Sequence, residues 1–504
     1  MSNPLYDSLF GIHKDNSAVL FVDPLGNDSL TYSAFVKRVA QFAHAISKAG
    51  LQPGDRLVAQ IGKSVSSIAL YAGCVQAGVI FLPLNTAYTA SEVEYFLSDS
   101  GGKVLICDPA AEDNLQSVAS TQGAQLLTQS ADGLSGSLID QVSSSPESFE
   151  TATRSEDDLA AFLYTSGTTG RSKGAMLTQE NLLSNSIALV DLWQFTHKDV
   201  LLHALPVFHT HGLFVACNIT FLAGSSMIFE SKFDTNRVIE LLPLSTSMMG
   251  VPTFYTRLLE DARFNKELTR NIRVFISGSA PLLFETHIQF EKLTGHRILE
   301  RYGMTETNMI TSNPYDGERR AGTVGFPLPG VDVKITDAQT GDILPDGEVG
   351  IIEVRGPNVF KGYWNMPEKT AEELRTDGFF ITGDLAKLDE DGYISIVGRN
   401  KDLIISGGYN IYPKEIELVL DDQPGVKETA VVGVPHPDFG ETVVAIVVAS
   451  DSHLDIETLH EAAKASLAKF KHPKKVIVVE SLPRNTMGKV QKNILRDQYA
   501  DLFA

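Results

Sequence analysis

Residues 164–174 read Tyr-Thr-Ser-Gly-Thr-Thr-Gly-Arg-Ser-Lys-Gly and lie between two apolar runs, 159–163 and 175–177. The runs have strand character, so the chain must fold with a tight polar loop projecting from a sheet. Three glycines, five Ser/Thr hydroxyls and two cations fall within these eleven residues. Glycine lets successive backbone N–H groups converge on one point, and hydroxyls and cations add further donors. The loop suits an oligophosphate; its plainer reading is a flexible surface loop. Spacing excludes one relative. A Walker A loop needs Gly-x-x-x-x-Gly-Lys followed directly by Ser or Thr. Here Ser172 precedes Lys173 and Gly174 follows it, and the segment leads into an apolar stretch rather than a helix.

Upstream, helix-period and strand-like runs alternate. Residues 32–49 place Phe35, Val36, Val39, Phe42, Ala43 and Ile46 at helical spacing. Residues 56–61, 79–83 and 104–108 read as strands, and 65–77 as a buried helix. Such alternation predicts an α/β domain with largely parallel sheets. Residues 130–153, rich in Ser, Gly and acidic side chains, predict a surface excursion. From 322 to 399 the pattern changes to short strands at 331–336, 350–355 and 393–397, with Asp389-Glu390-Asp391-Gly392 as a hairpin turn. A polar stretch then leads to a segment with its own strands (430–434, 442–449) and helices (414–421, 456–469). A boundary is expected at Lys401, giving a large domain over 1–400 and a small one over 401–504.

A chain of 504 residues, 43% apolar and 21% charged, suits a globular protein of more than one domain. No apolar run approaches the ~20 residues that span a bilayer. Residues 1–13 include Asp7 and lack a basic-then-apolar run, so no secretory leader is expected. Cys74, Cys107 and Cys217 lie far apart in apolar contexts, which fits a reducing, cytoplasmic setting without a disulfide framework or metal pair. The formal charge of −20 argues against nonspecific nucleic-acid binding. Residues 469–496 run the other way, with eight basic residues against Glu480 alone. That strip is either a solvated surface or the docking face for one anionic ligand.

Further segments share the character of the phosphate loop. Glu300-Arg301-Tyr302-Gly303-Met304-Thr305-Glu306 sets a hydroxyl beside a carboxylate, the pair that touches a phosphate and its Mg²⁺ together; a helix cap is the alternative. Phe275-Ile276-Ser277-Gly278-Ser279-Ala280-Pro281 reads as a strand ending in a small-residue turn against which a flat ring can lie. Thr382-Gly383-Asp384 offers a carboxylate to ribose hydroxyls or is a solvent turn. Pro483-Arg484-Asn485-Thr486-Met487-Gly488-Lys489 places a lysine after a glycine in an extended tail; alone, Lys489 is a surface lysine.

In this order, over residues 30–490, these segments resemble the acyl-adenylate-forming enzymes, which include acyl-CoA synthetases, firefly luciferase and nonribosomal adenylation domains. The resemblance implies two α/β subdomains and a β-barrel-like one in the large domain, with a small mobile α+β lid hinged at Lys401. It implies that Thr165, Ser166, Gly167, Thr168, Thr169, Gly170 and Lys173 hold the β- and γ-phosphates of ATP. Thr305 would touch the α-phosphate and Glu306 would ligate Mg²⁺. Gly278, Ser279, Ala280, Tyr302, Gly303 and Met304 would border the nucleotide, with Asp384 and Arg399 at the ribose. Lys489 would bridge the acid and the α-phosphate, and Gly407 and Gly408 would border the tunnel for the pantetheine of CoA. An acyltransferase and a deacylase acting on Lys489 would be regulatory partners, because capping the amine removes its charge.

For the acid, Val207-Phe208-His209-Thr210-His211-Gly212, the helix at 251–259 and the turn at 277–280 would form the pocket. Within the family, Val251-Pro252-Thr253-Phe254-Tyr255-Thr256-Arg257, the Ser279 turn and residues 301–307 look like malonyl-CoA synthetases. There Arg257 and Ser279 would receive the far carboxylate, since a buried unpaired carboxylate is prohibitive. Arg257 alternatively pairs with Glu260 or Asp261 on an exposed helix. His209 is either near that carboxylate, with a catalytic role, or a packed core histidine. The expectation is malonate, ATP and CoA converted to malonyl-CoA, AMP and diphosphate, with methylmalonate turning on pocket volume. A short-chain or aryl acid–CoA ligase, a carrier-loading adenylating enzyme and a catalytically silent nucleotide binder are the competing readings.

Overall fold

The structure is a computed structural model and describes residues 2–25, 29–165, 172–407, 409–450, 454–485 and 488–503. The calls on Ser166, Gly167, Thr168, Thr169, Gly170 and Gly408 fall outside the described residues.

The predicted alternation is present. The helix Tyr32–Lys48 starts where the Thr31 side chain accepts the Ala34 N–H, and it buries Phe35, Val39, Phe42, Ala43 and Ile46. Val65–Ala77 opens on a reciprocal Ser64/Ser67 cap and ends at Gly78 in the left-handed region. Nearly every residue of this second helix is buried, as its unbroken apolar character requires. A six-stranded sheet runs in the order Gln125–Thr128, Val104–Cys107, Arg56–Gln60, Ile80–Pro83, Leu159–Thr165, Lys173–Thr178. Its pairs are parallel except the last, the hairpin that carries the phosphate loop.

A nine-stranded sheet forms the second α/β layer. It begins at Phe326–Pro327, passes Asn308–Ser312, Leu299–Met304, Val274–Ser277, Ser247–Gly250, Val200–His203 and Ser226–Phe229, and ends at Val19–Phe21 and Leu30–Thr31. The strands from Leu299–Met304 through Val19–Phe21 pair in parallel. The expected excursion at 130–153 is more structured than its composition suggests. It contains the helix Ser137–Ser143, whose Leu138, Ile139 and Val142 are buried in the main core.

The barrel-like region takes the form of a four-stranded antiparallel meander, Asp332–Thr336, Gly350–Arg355, Phe380–Leu388 and Ile394–Arg399. Strands from residue 404 onward belong to a separate sheet, in which Gly440–Ala449 pairs with Ile404–Ser406, Val426–His436 and, in parallel, Lys475–Val479. Tyr409–Ile411 extends it beside Ile404–Ser406. The helices Pro413–Asp421 and Ile456–Ser466 pack on it through Ile416, Leu420 and Leu459, giving the α+β makeup of the small C-terminal domain.

Candidate active site

Ligands of open α/β sheets bind beyond the carboxyl ends of the strands. Three adjacent parallel strands of the large sheet end at Gly250, Ser277 and Met304, and the turns beyond these strand ends build the site.

Thr165 and Lys173 are register partners at the foot of the phosphate loop, and the Tyr95 hydroxyl donates to the Ser172 carbonyl there, 2.7 Å away. The Lys173 ammonium lies 3.4 Å from Glu373 and 4.0 Å from the Tyr363 ring centre. The Tyr363 hydroxyl sits 2.9 Å from Glu306 and 2.7 Å from Glu373. One hydroxyl thus links the loop lysine's partner to Glu306. Glu306 is only 4% exposed, and burial raises its pKa against the pull of Lys173 and Arg399. Beside it, the Thr305 hydroxyl makes no hydrogen bond among the described residues.

Asp384 is a cross-strand neighbour of Arg399, whose guanidinium lies 2.6 Å from its carboxylate, and the Tyr302 hydroxyl donates to the other oxygen. Lys489 follows the last strand of the small domain on a turn closed by Asn485, whose side chain accepts the Lys489 N–H at 2.9 Å. Its amine lies within electrostatic reach of Arg399, Asp384, Glu306 and Arg301, and burial followed by Arg399 lowers its pKa. The structure therefore brings Lys173, Glu306, Asp384, Arg399 and Lys489 to one place, although they come from four separate stretches of chain.

The turn after Val274–Ser277 holds Gly278, Ser279 and Ala280. Ser279 adopts φ +71°, and its Oγ is 3.2 Å from His211 Nδ1. Gly278 covers the Arg301 side chain so closely that a Cβ there would lie 2.4 Å from the guanidinium carbon. Arg301 is 3% exposed, and its Nε and one terminal nitrogen are buried without a hydrogen-bond partner among the described residues. Burial pushes its pKa down to about 9. His209 is half-buried; burial, then the Lys489 and Arg301 charges, hold its pKa down to about 3, so the ring is neutral.

Arg257 lies outside the pocket, on the exposed helix of its alternative reading but without the expected acidic partner. It is exposed on the helix Pro252–Leu259, with no hydrogen bond or ion pair among the described residues. Tyr255 and Leu258 take the buried face of that short helix, which turns 257 outward. Asp261 pairs with Arg263 instead, at 2.6 Å. The buried guanidinium beside Ser279 is Arg301, two strands away from that helix. Sequence reasoning also passed over Tyr363 and Glu373, and it gave His211 no role beyond its place in the pocket segment. For Arg301 a signal existed: Glu300 and Arg301 are adjacent charges directly after the apolar stretch that ends at Leu299, at the buried start of a strand, where charge needs a reason.

On the small domain, Gly407 (φ +56°) donates its N–H to the Phe439 carbonyl at 2.9 Å. Exposed Tyr409 and Phe470 stack at 4.6 Å between ring centres, and Lys474 lies 5.5 Å from the Phe439 ring centre. Lys471 is held by Glu415. Lys401 is exposed in the short turn Asn400–Asp402, next to Asp402, which Arg496 pairs at 2.6 Å.

Known proteins resemble this chain over most of its length. Residues 12–364 match the family model "AMP-binding enzyme" and residues 415–489 the model "AMP-binding enzyme C-terminal domain". A malonate–CoA ligase of Arabidopsis thaliana is 37% identical over 480 residues, covering 89% of this chain and 78% of that protein. A feruloyl-CoA synthase of Amycolatopsis sp. is equally 37% identical over 481 residues, covering 94% and 95%. ATP-bound MatB from Rhodopseudomonas palustris is 54% identical, covers 100% of both chains and superposes with a TM-score of 0.97. The apo structure of the same protein gives 0.86.

Proposed function

The chain belongs to the AMP-binding enzyme family and is an AMP-forming acid–CoA ligase, and we propose that its acid is the short dicarboxylate malonate. Arg301 carries this reading. A guanidinium buried without a counter-ion is costly, and a bound carboxylate supplies the missing partner as a charge-assisted pair. Ser279, next to the glycine that covers Arg301, adds a hydroxyl at the same end. An aryl or long-chain acid has no second anion to offer there, and the far-end role expected of Arg257 passes to Arg301.

In the first step a carboxylate oxygen of the acid attacks the α-phosphorus of ATP. The new O–P bond forms as the bond to the β-phosphate oxygen breaks, and diphosphate leaves. Both reactants are anions, so the site must screen charge. Lys489 and Lys173 serve that purpose, while Asp384 and Arg399 orient the ribose and Thr305 meets the α-phosphate. Glu306 fits a hard divalent cation, being a buried carboxylate beside the phosphate site; Mg²⁺ keeps one or two carboxylates when phosphate oxygens fill its other positions. When bound, the ion offsets charge on the phosphates. Neutral His209 borders the acid without competing for a carboxylate. In the second step the CoA thiol gives its proton to solvent water, its sulfur attacks the acyl carbonyl carbon, and AMP departs with the electron pair of the broken acyl–oxygen bond. Lys489 occupies the approach, so the small domain must swing about Lys401 and present Gly407 and Gly408 to the pantetheine. The exposed stack of Tyr409 on Phe470, with Lys474, suits the nucleotide end of CoA. An acylating enzyme would reach Lys489 only with the lid withdrawn.

Diphosphate release over mono- and dicarboxylic acids, with and without CoA, tests the reading. Malonate should turn over best. Arg301→Gln should lower kcat/KM for malonate by about a hundredfold or more, as expected for breaking a buried charge pair, while sparing a short monocarboxylate. Equal turnover of ferulate or a long-chain acid by the unaltered enzyme overturns the malonate assignment and leaves the ligase standing.

A further inference from the structure

The Ser279–His211 contact raises a question of hydrogen direction. A carboxylate only accepts, so Ser279 must aim its single hydroxyl hydrogen at the acid. That hydrogen is free only if the 3.2 Å contact to His211 runs from Nδ1–H to Oγ. We propose that His211 is a positioning residue for acid recognition: its Nδ1–H holds Ser279 Oγ so that the hydroxyl hydrogen faces the far carboxylate of the acid. This rests on the dicarboxylate reading and deepens it.

Three observations support the assignment. His211 is 1% exposed, and its Nε2 is buried with no hydrogen-bond partner, so Ser279 is the one polar group its ring engages among the described residues. Burial, with Arg301, His209 and His203 nearby, holds the ring neutral, leaving a single N–H whose placement decides what Ser279 can do. The ring is also fixed in place. His211 opens a π-helical turn, His211–Cys217, and its backbone N–H donates to His209 Nδ1 at 3.3 Å. The next carbonyl, Gly212 O, lies 2.8 Å from His203 Nε2. A carbonyl only accepts, so Nε2 carries the N–H that holds Gly212, and Nδ1 of the neutral ring accepts from the Lys63 amine 2.9 Å away. A Cβ at 212 would lie 2.0 Å from the Pro206 carbonyl oxygen, so the turn has no slack. Thr210, just before, donates to Asn308 at 2.6 Å.

A double-mutant cycle with steady-state kinetics tests the proposal. His211→Leu should raise KM for malonate about tenfold or more while KM for ATP stays within about twofold. His211→Asn, whose amide can place an N–H near the position of Nδ1, should recover most of that loss. In a Ser279→Ala background, His211→Leu should add less than about twofold, since both changes remove the same hydroxyl donation. Losses that multiply in the double variant, or failure of His211→Asn to recover, overturn the proposal. So does a His211→Leu effect of equal size on malonate and on a short monocarboxylate. If the unaltered enzyme shows no preference for malonate, the dicarboxylate reading itself fails, a result distinct from a multiplicative cycle on a malonate-selective enzyme.

Discussion

At the scale of single residues, the site is held together by groups that the folded chain places at a disadvantage. Arg301 is buried with no anion beside it among the described residues, so removing its charge should relieve the unliganded fold. Arg301→Met should stabilise the apo protein by about 1–3 kcal/mol in denaturant titration while malonate use disappears. A loss of stability would mean that the guanidinium is already satisfied. Lys63 behaves similarly. Burial beside His203 and the Phe229 ring lowers its pKa from 10.5 to about 7, with Cys217 and Glu230 opposing. Between pH 7 and 10.5 the unfolded chain holds a proton that the folded chain has released, so stability rises with pH in that window. Below pH 7 both states are protonated and this slope vanishes. Lys63→Met should flatten the rise between pH 7 and 9, which contributes at most about 1.4 kcal/mol per pH unit. An unchanged slope would refute the assignment. Such residues were poorly legible in the sequence. Arg257 and Arg301 both sit beside motif residues, and only packing decides which guanidinium faces inward: Tyr255 and Leu258 claim the inner face of a two-turn helix, while Gly278 opens room for Arg301.

Elements position chemistry by where they end. The hairpin Leu159–Thr165/Lys173–Thr178 and the helix Pro367–Glu373 meet through Tyr363, and this joint couples the phosphate loop to Glu306. Tyr363→Phe should raise KM for ATP several-fold, on the scale of one lost hydrogen bond (about 1 kcal/mol), with little change in KM for malonate. Diphosphate-exchange kinetics checks this, and an unchanged KM for ATP would remove Tyr363 from the ATP site. Element type was largely legible where periodicity was long. The helix expected over 32–49 spans Tyr32–Lys48, and the one expected over 65–77 has those bounds. The helix Ser137–Ser143 was hidden because seven residues within a Ser-rich stretch give too few apolar positions to define a period. Glu373 was hidden for another reason: nothing in the local sequence of a surface helix says that its last residue will meet a lysine two hundred positions earlier.

For the molecule as a whole, the arrangement described here is the one in which the small domain delivers Lys489 to the large one, and it superposes on ATP-bound MatB more closely than on the apo structure. Lys489→Ala should slow adenylate formation at least a hundredfold, the scale of losing one preorganised charge at the transition state. Conversion of preformed malonyl-AMP and CoA to malonyl-CoA should continue at near the original rate. Equal loss in both half-reactions would show that the lysine serves more than the first. Gross architecture followed from alternation and from the switch to short strands after 322; the pairing of distant strands did not. Val19–Phe21 pairs on one side with nearby Leu30–Thr31 and on the other, in parallel, with Ser226–Phe229, so this strand finds its parallel partner only after about 200 further residues are made. At roughly 5–20 residues per second, a ribosome leaves that strand waiting some 10–40 seconds. During synthesis one edge of that strand is therefore left bare, and its apolar Leu20 and Phe21 are ready clients for a chaperone until the middle of the polypeptide emerges.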